Sequence, residues 1–243
     1  MKKIYISILL SLLLVGNLKA QYFKENNYYD LSLSTKGNQS LASISWNHLH
    51  GMGKSKKFSL GYGLRYNANF GKDADFITAP AKLTSGSSGL GVLFSENKLG
   101  NFDTVFIPKY MVHSINASIY LNYQFNQKWG MAFNIDAVGF SFGLNQVSQY
   151  NSSKKTQSPN QAIEQSASPT KTNLLLVSDN DYGSLNSEIY VIYWFKPKWA
   201  LKGGASFSFT EYTTVNKLYL DNDRFRNKSL QGMIGISYSP FRN

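Results

Sequence analysis

Residues 58–70, Phe-Ser-Leu-Gly-Tyr-Gly-Leu-Arg-Tyr-Asn-Ala-Asn-Phe, alternate apolar and polar side chains over thirteen positions without a break. Phe58, Leu60, Tyr62, Leu64, Tyr66, Ala68 and Phe70 share one face. Ser59, Gly61, Gly63, Arg65, Asn67 and Asn69 share the other. Successive strand side chains point to opposite faces, so this is a β-strand with one apolar and one polar side. It is long for a soluble strand and covers the roughly 9–11 residues that a tilted strand needs to cross a bilayer.

The N-terminus fits a chain exported to such a bilayer. Lys2 and Lys3 precede an apolar run, Ile4 to Val15, that leads to Ala20 and Gln21. A basic start, a short hydrophobic stretch and a small final residue read as a signal peptide over 1–20, with 21–243 as one mature domain. The run is too short to span about 30 Å of hydrocarbon as a helix. Cysteine is absent, which excludes disulfides, cysteine nucleophiles and thiolate metal sites. Loss of Lys2, Lys3 and Lys19 lowers the formal net charge from +11 to +8. Export makes nucleic acid a poor partner for this surplus. Anionic outer-membrane lipids and lipopolysaccharide suit it better.

Further strands follow the same rule. Tyr29, Leu31 and Leu33 mark a first, and Ala42, Ile44 and Trp46 a second. Ile115–Phe125, Trp129–Ala137, Leu185–Phe195, Trp199–Phe209 and Leu230–Phe241 complete the set. Apolar parity switches after Val138 to Phe140 and Phe142, which predicts a bulge near Gly139. Connections alternate in length. Residues 126–128 and 196–198 are tight, and 48–57 is short. Residues 71–111, 143–183 and 211–228 are long, polar and rich in Ser, Asn, Gly and Lys. This predicts an eight-stranded antiparallel transmembrane β-barrel with short periplasmic turns and long extracellular loops. Trp46 with Phe58, Phe125 with Trp129 and Phe195 with Trp199 flank the three short turns, as a periplasmic aromatic girdle requires.

The chain resembles the small outer-membrane β-barrel family, the eight-stranded type seen in the OmpA transmembrane domain and OmpX. The resemblance rests on the strand–turn–Trp units Tyr123-Gln-Phe-Asn-Gln-Lys-Trp129 and Tyr193-Trp-Phe-Lys-Pro-Lys-Trp199, and on the last strand. It implies a bacterial outer-membrane location and recognition of the final strand by barrel-assembly machinery. Phe241 is followed by Arg242 and Asn243, a departure from that terminal signal.

An eight-stranded barrel is just wide enough for side chains to fill. Alternation places Arg65, Asp136, Glu188 and Lys202 inside, where they must pair and plug the lumen. Exchange of those partners would instead open a small pore or transport path. A lipid-modifying outer-membrane enzyme is a further alternative with little to build on, because His48, His50 and His113 are scattered and His113 faces away from neighbouring Ser114. No cofactor or metal site is expected. The expected role is structural or surface-interactive.

Overall fold

The computed structural model describes residues 25–85, 102–151, 164–176 and 180–242. The expected signal peptide over 1–20 and the central stretches of two long connections lie outside them. Eleven strands are present among the described residues: β1 (Glu25–Lys36), β2 (Gln39–Met52), β3 (Phe58–Thr78), β4 (Thr104–Gln124), β5 (Trp129–Gly143), β6 (Gln146–Asn151), β7 (Glu164–Pro169), β8 (Thr172–Leu174), β9 (Asn186–Lys196), β10 (Trp199–Thr214) and β11 (Arg224–Tyr238).

Eight of these close a cylinder. β1 pairs with β2, β2 with β3, β3 with β4 and β4 with β5; β5 pairs with β9, β9 with β10, β10 with β11, and β11 returns to β1. Every ladder is antiparallel, and closure leaves no strand edge unpaired at this level. The first strand pair obeys the expected phase, with Leu31 opposite both Ile44 and Ile236.

The cylinder has two unlike ends. The turns at 53–57, 125–128 and 197–198, together with both termini of the described chain, gather at the turn end. The remaining connections gather at the loop end. One of these is tight rather than long: β1 and β2 meet at Gly37, whose φ of +57° is a backbone state that glycine adopts without strain.

Outward positions form an apolar belt. Leu31, Leu33, Ile44, Tyr62, Leu64, Ile119, Phe140, Ile189, Leu201, Leu230 and Ile234 are all exposed on the cylinder wall. A soluble protein does not display such a belt; it matches the outward apolar band of a transmembrane barrel. Just beyond it at the loop end stand exposed lysines: Lys36, Lys72, Lys109, Lys171 and Lys228. Phe70 and Met111 are register partners in the belt. Two positions on, Lys72 faces Lys109.

The bulge falls two residues before its expected place. Ala117 pairs with Val138 and Ser118 with Asp136, so Ala137 is the extra residue and the parity switch follows it. β11 ends at Tyr238 rather than Phe241, because Pro240 has no N–H to continue the ladder.

The larger surprise is at the loop end, where strands run on into segments that read as loops. β3 reaches Thr78, β4 starts at Thr104, β10 reaches Thr214 and β11 starts at Arg224. The β1–β2 hairpin is too short to follow. Above its tip β11 pairs directly with β3, Phe225 with Thr78 and Arg226 with Ile77. On the opposite side the β6–β7 hairpin bridges β4 to β10. A second closed ring results, with six strands: β3, β4, β6, β7, β10 and β11.

Candidate functional site

Three tiers of side chains fill the interior, and each follows from strand phase. At the turn end, Tyr28, Ala132, Tyr190, Ile192, Trp194, Ala200 and Met233 form an apolar and aromatic floor. Tyr28 packs on Trp194 with ring centroids 6.0 Å apart, and the Arg242 guanidinium lies 3.9 Å from the Trp194 ring.

The middle tier is ionic. The structure brings Arg65, Asp136 and Glu188 together, each almost wholly buried. Arg65 Nε and Nη2 lie 2.8 and 2.6 Å from Asp136 Oδ1, and Nη1 lies 3.3 Å from Glu188 Oε2. Asp136 is surrounded by donors. Ser118 Oγ adds a bond to Oδ1 at 2.6 Å. The side chains of Asn67 and Asn116 and the backbone N–H of Asn186 donate to Oδ2 at 3.0, 2.9 and 2.9 Å. Glu188 accepts from Asn134 at 2.8 Å and from Ser32 and Asn186 at 3.3 Å. A buried charge is tolerated only when paired and hydrogen-bonded, and inward Asn and Ser supply what the ion pairs leave over.

Lys202 stands apart from that trio. Its ammonium lies 3.2 Å from Asp30 Oδ2 and 3.9 Å from the centre of the Tyr190 ring. Asn47 donates to the same carboxylate at 3.0 Å. Asp30 is therefore a third interior acid that sequence reasoning passed over, although it lies between outward Tyr29 and Leu31 and shares the inward phase. A cavity of about 10 Å³ lies between Asp30, Asn47, Tyr120 and Lys202. It is room for about one water molecule.

The third tier fills the six-stranded ring and inverts the pattern below it. Ala74, Phe76, Val105, Ile107, Tyr110, Val112, Tyr150, Ala167, Tyr212, Leu218 and Phe225 form one buried apolar cluster. Phe76 meets Tyr110 and Tyr212 edge-on, each at a centroid distance of 5.3 Å. The inward parity of β3 and β4 changes at one step. On β3 the inward set passes from Arg65, Asn67 and Asn69 to Ala74 and Phe76 across Asp73, whose φ is +48°. On β4 it passes from Val112 and Tyr110 to Ile107 and Val105 across Pro108. Register holds through the step, with Lys72 opposite Lys109 and Ala74 opposite Ile107, so both strands turn over together. Gly71 makes room for the Tyr110 ring, which a Cβ there would overlap.

Five of the six aromatics named for a girdle lie on the outer wall beside the turn end: Phe58, Phe125, Trp129, Phe195 and Trp199. Trp129 and Trp199 each pack on a neighbouring tyrosine, Tyr193 at 4.6 Å and Tyr238 at 4.7 Å. Trp46 is the exception. β2 runs on to Met52, which takes the place beside Phe58, while Trp46 stands opposite Leu64 well inside the belt.

The histidines are divided among separate contacts. His113 lies on the outer wall between Tyr66 and Phe142, its Nδ1 2.6 Å from Tyr66 Oη, and buried Ser114 faces the lumen. His48 bonds Asn27 and packs edge-on against His50. No cluster of three or more His, Cys, Asp or Glu suited to a metal occurs among the described residues.

No protein-family model matches the chain, and no curated protein matches it. Solved structures do. Neisserial surface protein A is 8% identical over 88% of this chain and 93% of its own, with a TM-score of 0.35. A major outer membrane protein from Thermus thermophilus is 11% identical over 89% of this chain and 100% of its own, at 0.36. The toluene transporter of Ralstonia pickettii is 8% identical over 93% and 92%, at 0.25. The barrel architecture rests on the strand pairing above rather than on these likenesses.

Proposed function

We propose that the chain is an integral β-barrel of a bacterial outer membrane whose lumen is sealed and whose loop-end ring is a rigid platform for surface contacts. Residues 1–20 act as the export signal in this reading, the turn end faces the periplasm, and outer-membrane lipids surround the belt. Barrel-assembly machinery inserts the chain through β11. The role is structural or interactive rather than enzymatic.

The observation that carries this reading is the stacking of three filled tiers inside one wall. A pore needs a continuous wet path, whereas here an ionic plug lies between an aromatic floor and an apolar ring. Opening the plug would separate Arg65 from two acids and leave buried charge uncompensated, which costs several kcal/mol. Opening the ring would expose Phe76, Tyr212 and Phe225 to water.

The test is electrical. The mature chain, refolded into vesicles and fused with a planar bilayer, should give no discrete conductance steps under applied voltage. Reproducible steps that vanish when the protein is omitted would overturn the sealed-lumen reading.

A further inference from the structure

Beyond the Ile135–Ser187 pair, β5 and β9 diverge. The wedge between them is filled by β8 and residues 181–185. Leu174 and Tyr182 exchange backbone hydrogen bonds at 3.0 and 2.9 Å, and Leu175 N–H donates to Ala137 O at 2.7 Å. This segment forms a common wall for two concavities on the outside of the cylinder.

The first is apolar and lies at the loop-end margin of the belt. It has a volume of about 310 Å³, and Ile135, Leu175, Leu176, Leu185, Phe207 and Phe209 line it. Lys228 stands at its rim, its ammonium 5.7 Å from the Phe209 ring centre. The second, about 470 Å³, has Leu174 on its wall but carries more hydroxyl and charged side chains than the first. Thr170, Lys171, Thr172, Thr213, Tyr182 and Arg224 line it, with Asp223 also on its wall. Thr213 lies four residues beyond Phe209 along β10, and Arg224 four residues beyond Lys228 along β11. The second hollow thus lies roughly 13 Å farther along the tilted strands than the apolar groove, on the side away from the belt.

Among the described residues, the charged groups around both hollows are Lys171, Arg224, Arg226 and Lys228 against Glu211, Asp181 and Asp223, an excess of one positive charge. Glu211 is held by Arg224 at 2.8 Å and Arg226 at 2.7 Å. Asp181 accepts from Leu176 N–H at 2.6 Å. Lys171 and Lys228 are the exposed cations.

We propose that this flank binds one lipopolysaccharide-type lipid, with an acyl chain in the Leu176–Phe209 groove and a phosphorylated sugar above it, held by Lys228, Lys171 and the threonine-lined hollow. The inference rests on the outer-membrane reading above, which puts this flank in the outer leaflet. An apolar groove at hydrocarbon level with cations and hydroxyls directly beyond it matches the amphiphile's own order of groups. Neutral phospholipid would satisfy only the groove.

The probe is bisphosphorylated lipid A, added to refolded mature protein in neutral detergent, with bound lipid counted by native mass spectrometry. One lipid per barrel should survive. Substituting both lysines, Lys171→Gln with Lys228→Gln, should weaken retention roughly 30-fold, since each removes one near-surface attraction for an anionic group. Leu176→Glu should also abolish retention by placing an acid against the acyl chain. Lys72→Gln with Lys109→Gln, an equal charge change elsewhere on the rim, should leave retention within about twofold. Equal loss from the two lysine pairs, or equal retention of phosphatidylcholine, would overturn the site. A chain that folds to a compact, heat-modifiable band yet holds no lipid A refutes this inference alone. A chain that never reaches that band removes the barrel reading as well.

Discussion

Replacing Arg65 by methionine tests the ionic tier most directly. The change keeps most of the aliphatic volume and deletes the guanidinium that meets Asp136 at 2.6 Å and Glu188 at 3.3 Å. Asp136 retains four donors, from Ser118, Asn67, Asn116 and the Asn186 backbone. Glu188 retains Asn134, Asn186 and Ser32. Neither acid keeps a direct ion pair, and breaking a buried pair on one side costs about 3–5 kcal/mol. The remaining donors place Arg65→Met at about 4 kcal/mol, within that range. Adding Asp136→Asn should return a share of it. The amide oxygen takes the three donors now on Oδ2, and the amide N–H₂ turns toward Ser118 and the space the guanidinium left. The double variant should then be about 2 kcal/mol more stable than the sum of the two single effects, in the upper half of the usual coupling range. Equilibrium urea unfolding in phosphatidylcholine vesicles, read by tryptophan emission, measures all four corners of the cycle. A loss under about 1 kcal/mol for Arg65→Met, or strict additivity, would refute the claim that these groups hold one another.

Other expectations follow from wall and ring. Leu64→Arg and Ile119→Arg, both exposed on the belt, should each cost about 2–4 kcal/mol of folding into vesicles, whereas Asn122→Gln on the inner face should not show this depth-dependent penalty. Phe76→Ala empties the centre of the loop-end ring and should cost about 3–5 kcal/mol. Protease should then cut between β3 and β4 while the membrane-embedded portion stays protected; an unchanged digestion pattern would show the ring to be held by something else. A cysteine at Val215, exposed at the loop end, should react with an impermeant thiol reagent on intact cells, and one at Gln127 should react only after permeabilisation. The reverse pattern would invert the orientation.

The cylinder was legible because its physical cause is periodic. Each crossing strand repeats one two-residue rule, and the turns at 125–128 and 197–198 interrupt it sharply enough to count. The ion trio was legible for the same reason, since phase alone sets Arg65, Asp136 and Glu188 inside. Asp30 obeyed that rule and was missed because its strand offers only three outward apolar residues. Trp46 was misplaced because His48, His50 and Gly51 dilute the alternation by which β2 reaches Met52. The loop-end ring was hidden by a different cause. Its inward residues change parity at Asp73 and Pro108, so a fixed-period reading of 71–111 finds noise where two strands continue. Phase is local, and neither the pairing of β11 with β3 nor the bridging by β6 and β7 leaves a mark in any one segment.

Four strands, β3, β4, β10 and β11, belong to both rings, and this has a mechanical consequence. A partner that pulls on the loop-end ring does not pull on a tethered loop. The tension runs along strands anchored in the bilayer and loads their ladders in shear, where many hydrogen bonds must slip together rather than break in succession. The β1–β2 hairpin and the strands β5 and β9 stop short and carry little of that load. Stiffness therefore differs around the circumference, greatest along the two shared strand pairs and least above Gly37.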